Sequence, residues 1–194
     1  MFSIPLVVST FGLIFLAELP DKTALAALVL ATRFRARDVV LGAGLAFTIQ
    51  TIVGVAAGSV LTLLPVMPIR VASGVGFLIF AYLAYKRASE KEAKEETAGI
   101  RAGNPAWLAS FLVIFAAEWG DLTQLATAAL VAQTRQPLSV GIGALLALWA
   151  VTLIAAYSGS RLARLVKPKL LNQISAVLFA VIGVAIIVTA ILRH

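Results

Sequence analysis

Four carboxylates define the chemistry available to this chain. Glu18 and Asp21 lie in LAELPDKTAL (16–25), and Glu118 and Asp121 lie in AAEWGDLTQL (116–125), each pair set inside a long apolar run. The other five acids are Asp38 and the four glutamates of a charged stretch, Glu90, Glu92, Glu95 and Glu96. An ionisable group at mid-bilayer costs at least ~2.5–3.5 kcal/mol, so four of them in apolar segments imply a role. Ion pairing alone does not account for them, because Lys22 can neutralise one carboxylate and the apolar segments hold no base for the other three. On a helix, residues three apart share a face, so Glu18 lies with Asp21 and Glu118 with Asp121. If the two faces meet, the four carboxylates form a cage, with Thr23, Thr123 and Gln124 as lesser oxygen ligands. Such a cage suits a hard divalent cation, Ca²⁺, Mn²⁺ or Mg²⁺. Softer metals are disfavoured, since the chain has no cysteine and its one histidine, His194, is the last residue. Crowded carboxylates repel one another when the metal leaves and are expected to take up protons, which metal binding would expel. Proton-coupled antiport follows as an expectation, with Na⁺ as a competing counter-ion.

The elements that position these groups are membrane spans. The 194 residues are 61% hydrophobic and 13% charged, with a mean hydropathy of +0.99; a soluble domain sits nearer a quarter charged. Six apolar segments can be drawn, at about 4–33, 38–64, 70–86, 105–133, 138–160 and 172–192, each long enough for a span. The first run leads straight into the charged motif without a basic leader, so no cleaved signal is expected. Glycines at 42, 44, 54, 58, 141 and 143 give small-residue faces for close helix packing. A charged stretch follows the third segment, with Lys86, Arg87, Lys91, Lys94 and Arg101 nearly balancing the four glutamates. It reads as a solvated linker.

Basic residues are distributed unevenly. The first, third and fifth loops carry Arg33, Arg35 and Arg37, then the five bases just named, then Arg161, Arg164, Lys167 and Lys169. The opposite side carries Arg70, Arg135 and Arg193. The odd loops are therefore expected in the cytoplasm and both termini outside. The pI of about 10.3 is a property of these loops and not a nucleic-acid signal.

The motifs repeat at an offset of one hundred: Glu18 with Glu118, Asp21 with Asp121, Thr23 with Thr123. VLGAGLA (40–46) is echoed by SVGIGALLA (139–147), and AGS (57–59) by SGS (158–160). Three spans per half is an odd number, so the second half enters from the opposite side. The expected fold is an all-α membrane protein of six transmembrane helices in two inverted-topology three-helix repeats, 1–87 and 105–194, joined by a cytoplasmic linker at 88–104. Transporters of this build place their site near the midplane, where the repeats meet. Pro20 removes a backbone donor and frees the carbonyl of Leu16, while Gly120 weakens the matching place. The first helix of each repeat is thus expected to be interrupted at its motif.

ELPDKT (18–23) and EWGDLT (118–123) resemble the duplicated Glu-x-Gly-Asp-(Lys/Arg)-(Thr/Ser) signature of the cation/proton exchangers typified by transmembrane protein 165. The resemblance covers essentially the whole chain. It implies transport of Mn²⁺ and Ca²⁺ in exchange for protons, with bacterial members similar to manganese exporters of the plasma membrane. It also implies cation binding by Glu18, Asp21, Glu118 and Asp121. This chain departs from the signature twice. Pro20 replaces the first glycine and Leu122 the second base, leaving Lys22 as a lone modulator able to pair with a carboxylate in the metal-free state.

Other classes fit less well. An intramembrane aspartyl protease needs two aspartates, but here each is accompanied by a glutamate. A small-solute exporter of the amino-acid type would show mixed polar contacts, and a channel would use the carboxylates as a selectivity ring. No enzyme activity and no permanently bound cofactor are expected. The expected partners are the bilayer, divalent cations and protons; a homo-oligomer is compatible with the sequence.

Overall fold

A computed structural model describes residues 2–18, 27, 30–31, 33–89, 105–165 and 168–192. The described residues form helices and the turns between them: α1 (Ile4–Glu18), α2 (Ala36–Leu61), α3 (Val66–Ser89), α4 (Ala106–Ala117), α5 (Leu122–Thr134), α6 (Pro137–Leu165) and α7 (Pro168–Leu192). By length and hydropathy, α2, α3, α6 and α7 each suffice to cross a bilayer. Helices α4 and α5 pass the same test together, as a pair bent by 68°. Among the described residues the membrane protein is thus all-helical, with four candidate spans, or five if the bent pair is one. α1 is a shorter apolar helix. Pro20, Asp21, Lys22 and Thr23, the linker residues 90–104 and His194 lie outside the described residues.

Local sequence sets the helix ends. Proline stands first in both α6 and α7, where its missing N–H costs no helical hydrogen bond. Arg135 closes α5 in the left-handed region at φ 56°, its N–H donating to the Val131 carbonyl. Hydroxyls within the spans donate to carbonyls one turn back: Thr48 to Gly44, Ser110 to Ala106, Thr127 to Thr123 and Thr152 to Leu148. The bilayer core offers no water, so these internal acceptors stand in for it.

Packing between helices is backbone-close, as expected where lipid removes the hydrophobic drive and dispersion must hold helices together. α2 lies against α4, α5 and α6, while α6 also covers α1 and α3 pairs with α7. A Cβ at Gly42 would strike the Trp107 carbonyl of α4; at Gly143 it would fall 2.6 Å from the Val7 carbonyl of α1. At Gly44 it would meet the ring of Trp149 at 2.6 Å. The first helices of the two halves also carry matching aromatic stacks. Phe11 and Phe15 lie 5.5 Å apart at 14°, and Phe111 and Phe115 lie 5.3 Å apart at 15°. Between α3 and α7, Phe77, Phe80 and Phe179 form a mutual cluster at 5.8–6.0 Å, and a Cβ added at Gly183 would fall 2.9 Å from the Gly74 carbonyl.

Candidate metal centre

The site is assembled at a helix break. α4 makes its last turn with the Glu118 N–H donating to the Ile114 carbonyl at 3.0 Å. Trp119 and Gly120 then form a turn in which Gly120 adopts φ +75°, a conformation costly for other L-residues. The chain resumes as α5 with Asp121 as its N-cap. Both Asp121 oxygens are engaged: Oδ1 accepts from the Gln124 N–H at 2.8 Å, and Oδ2 from the Thr123 N–H at 3.1 Å and the Thr123 hydroxyl at 2.6 Å. Glu118 thus sits at the C-terminal, electronegative end of one half-helix, an arrangement that favours a cation.

Glu18, the last described residue of α1, is fully buried, and Glu118 is 3% exposed. One carboxylate oxygen from each of Glu18, Glu118 and Asp121 lies within 4.8 Å of the others. Oxygens bound to one Ca²⁺ at ~2.3–2.6 Å are at most about 5.2 Å apart, so three such groups can share one ion. The structure therefore brings together three of the four carboxylates singled out by the sequence. The fourth, Asp21, is outside the described residues, as are Thr23 and Lys22.

The sequence-based picture differs here in one respect. Glu118 and Asp121 do not share the face of a continuous helix; they flank the break, and the glycine turn, not the three-residue spacing, carries them to the same place. Thr123 and Gln124 are also committed elsewhere. The Thr123 hydroxyl lies behind Asp121, and Gln124 Oε1 accepts the Gly120 N–H at 2.8 Å. Both side chains shape the turn.

Two contributors escaped the sequence reading. Gln50, on α2 and 3% exposed, donates from Nε2 to the Phe115 carbonyl at 3.1 Å. The available signal was a lone amide in an apolar span. On the other side, the Ser175 hydroxyl of α7 donates at 2.9 Å to the Leu16 carbonyl, the acceptor that Pro20 was expected to release.

The cap and ligand roles of Asp121 can be separated by substitution. Asp121→Ser keeps a capping oxygen and should melt within about 0.5 kcal/mol of the native protein, whereas Asp121→Ala should lose about 1 kcal/mol. Both should lose cation-dependent transport. Retained transport in the serine variant would mean that the carboxylate serves only as a cap.

Fold and site together define a multi-pass helical membrane protein with a three-carboxylate cluster, two of its members buried, drawn from two repeated motifs. The chain belongs to the family described as divalent cation/proton antiporter GDT1, which it matches over residues 6–92 and 106–194. It is similar to protein PAM71, chloroplastic, of Arabidopsis thaliana, with 34% identity over 211 residues covering 93% of this chain and 57% of that protein. It is also similar to a GDT1-like protein of Synechocystis sp., with 32% identity over 189 residues covering 89% of this chain and 91% of that one. The chain spans 57–59% of the length of the chloroplastic relatives it matches. No solved structure matches it. The family is one of antiporters, not of enzymes.

Proposed function

We propose that this chain is a secondary transporter that moves Mn²⁺ and/or Ca²⁺ out of the cytoplasm in exchange for protons. The observation that carries the reading is the convergence of buried Glu18 with buried Glu118, one hundred residues away in sequence, and with half-buried Asp121, to within 4.8 Å. Oxygen-only donors favour a hard divalent cation over a softer metal. Three carboxylates sharing so little space repel one another unless a cation or protons screen them, which couples cargo to protons. Na⁺ is the competing counter-ion.

Six spans in two inverted repeats, 1–87 and 105–194, joined by the linker 88–104, supply the alternating access. The reciprocal packing of α2 on α4 and of α6 on α1, with α3 against α7, supports this arrangement. The odd loops then face the cytoplasm of a bacterial-type plasma membrane and both termini face outward. Asp21 completes the cage, and Lys22 occupies one carboxylate when the metal has left.

The test is reconstitution of the full chain in liposomes with Mn²⁺, Ca²⁺ or Mg²⁺ on one side and an imposed pH gradient. Gradient-driven uptake with matching proton counterflow is expected. Uptake indifferent to the gradient, or an ohmic cation current, would replace the exchanger by a channel.

A further inference from the structure

We propose that Gln50 is a positioning residue for the cation site. It braces the break between α4 and α5, and so sets the separation of Glu118 from Asp121; the inference rests on the exchanger reading above. In an unbroken helix the Phe115 carbonyl would accept from the N–H four residues on. The break denies it that donor, because the α4 ladder ends with Glu118 N–H to Ile114. Gln50 Nε2 supplies the replacement at 3.1 Å.

The same residue also grips the other limb. Its backbone carbonyl accepts from Gln124 Nε2 at 3.3 Å, and Gln124 Oε1 accepts from the Gly120 N–H at 2.8 Å. One turn further along α2, Gly54 lets the helix close on α5, where a Cβ would fall 3.1 Å from the Gln124 carbonyl. Both sides of the turn that presents Glu118 and Asp121 are therefore tied to a single residue of α2. The matching place in the second half holds a different side chain. Eight residues after Gly141, as Gln50 is eight after Gly42, comes Trp149, whose Nε1 donates to Thr48. Ahead of the first motif, the Leu16 carbonyl is served by Ser175 on α7. Among the described residues, the brace therefore belongs to the second motif alone.

Replacing the amide by leucine leaves the Phe115 carbonyl without its donor against a side chain only 3% exposed, so α4 must turn to find another. A shift of about 1 Å at a site that depends on placement can cost up to about a hundredfold. The chemistry of the carboxylates is unchanged, so the loss should fall on cation affinity.

The experiment compares Mn²⁺ and Ca²⁺ uptake in liposomes by the native full chain, Gln50→Leu, Gln50→Asn, Thr48→Val and Glu118→Gln. Gln50→Asn keeps the amide but withdraws it by one methylene, and Thr48→Val removes a hydroxyl of α2 outside the brace. Both Gln50 variants should raise the cation KM about tenfold or more with Vmax within about twofold, while Thr48→Val keeps the native KM. Should Gln50→Leu fail to assemble, Gln50→Asn gives the same reading. A native KM in the Gln50 variants, or a fall in Vmax at unchanged KM, overturns the positioning role. If Glu118→Gln transports as the native protein does, the carboxylate site itself is wrong; if Glu118→Gln is inactive and Gln50 variants have native KM, only the brace is wrong.

Discussion

Glu118→Gln, reconstituted in liposomes, is expected to lose cation-driven transport while retaining its fold. The substitution keeps size and shape at a residue 3% exposed but removes one of the three charges gathered within 4.8 Å. Removing one partner from a buried charge assembly costs about 3–5 kcal/mol, equivalent to a drop in cation affinity of roughly 10²–10⁴-fold. Glu18→Gln should behave alike, since it contributes from the opposite motif. Added Mn²⁺ or Ca²⁺ should raise the melting temperature of the native protein and leave both variants unmoved. Native cation dependence in either variant would remove that glutamate from the site.

Gly42→Ala should cost more stability than an alanine at a helical glycine with open space around it. The added Cβ would meet the Trp107 carbonyl, the Phe111 nitrogen at 2.8 Å and the Ser110 Cβ at 2.8 Å. Two of the three obstacles are backbone, which cannot swing aside, so α2 and α4 must separate. Overpacking of this kind costs about 1–3 kcal/mol, and each kcal/mol shifts the melting temperature of a chain this long by about 2–4 °C. Gly12 and Gly76, where an added Cβ would meet nothing within 4 Å, provide the internal comparison; alanine there should be neutral or slightly stabilising. Transport should fall in Gly42→Ala as well, since α4 carries Glu118 at its end. Equal melting shifts for Gly42→Ala and Gly12→Ala would show that the close approach is not what holds α2 to α4.

Much of this was legible in the residues themselves. The membrane class follows from hydropathy because lipid accepts only helices with satisfied backbones and apolar surfaces. The carboxylates stand out for the same reason: a solvent that penalises charge makes each exception visible. The repeat is likewise written in the chain, since Glu18 and Glu118 stand at the same register of similar runs. The interruption at Gly120 was foreseeable in place but not in form. A glycine weakens a helix wherever it occurs; that this one turns to φ +75° and bends the pair by 68° depends on the hydrogen bonds offered around it.

By itself, then, the sequence determined which residues could bind a cation and roughly where the spans lie, because those properties depend on side-chain chemistry and local hydropathy. Tertiary structure alone decided that Glu18 meets Glu118 and Asp121, that Asp121 also caps a helix, and that Thr123 and Gln124 serve the turn. It also brought in Gln50, separated by 65 positions from the carbonyl it serves. These assignments depend on which donor lies opposite which acceptor once helices pack backbone to backbone. No local pattern along the chain encodes that distance.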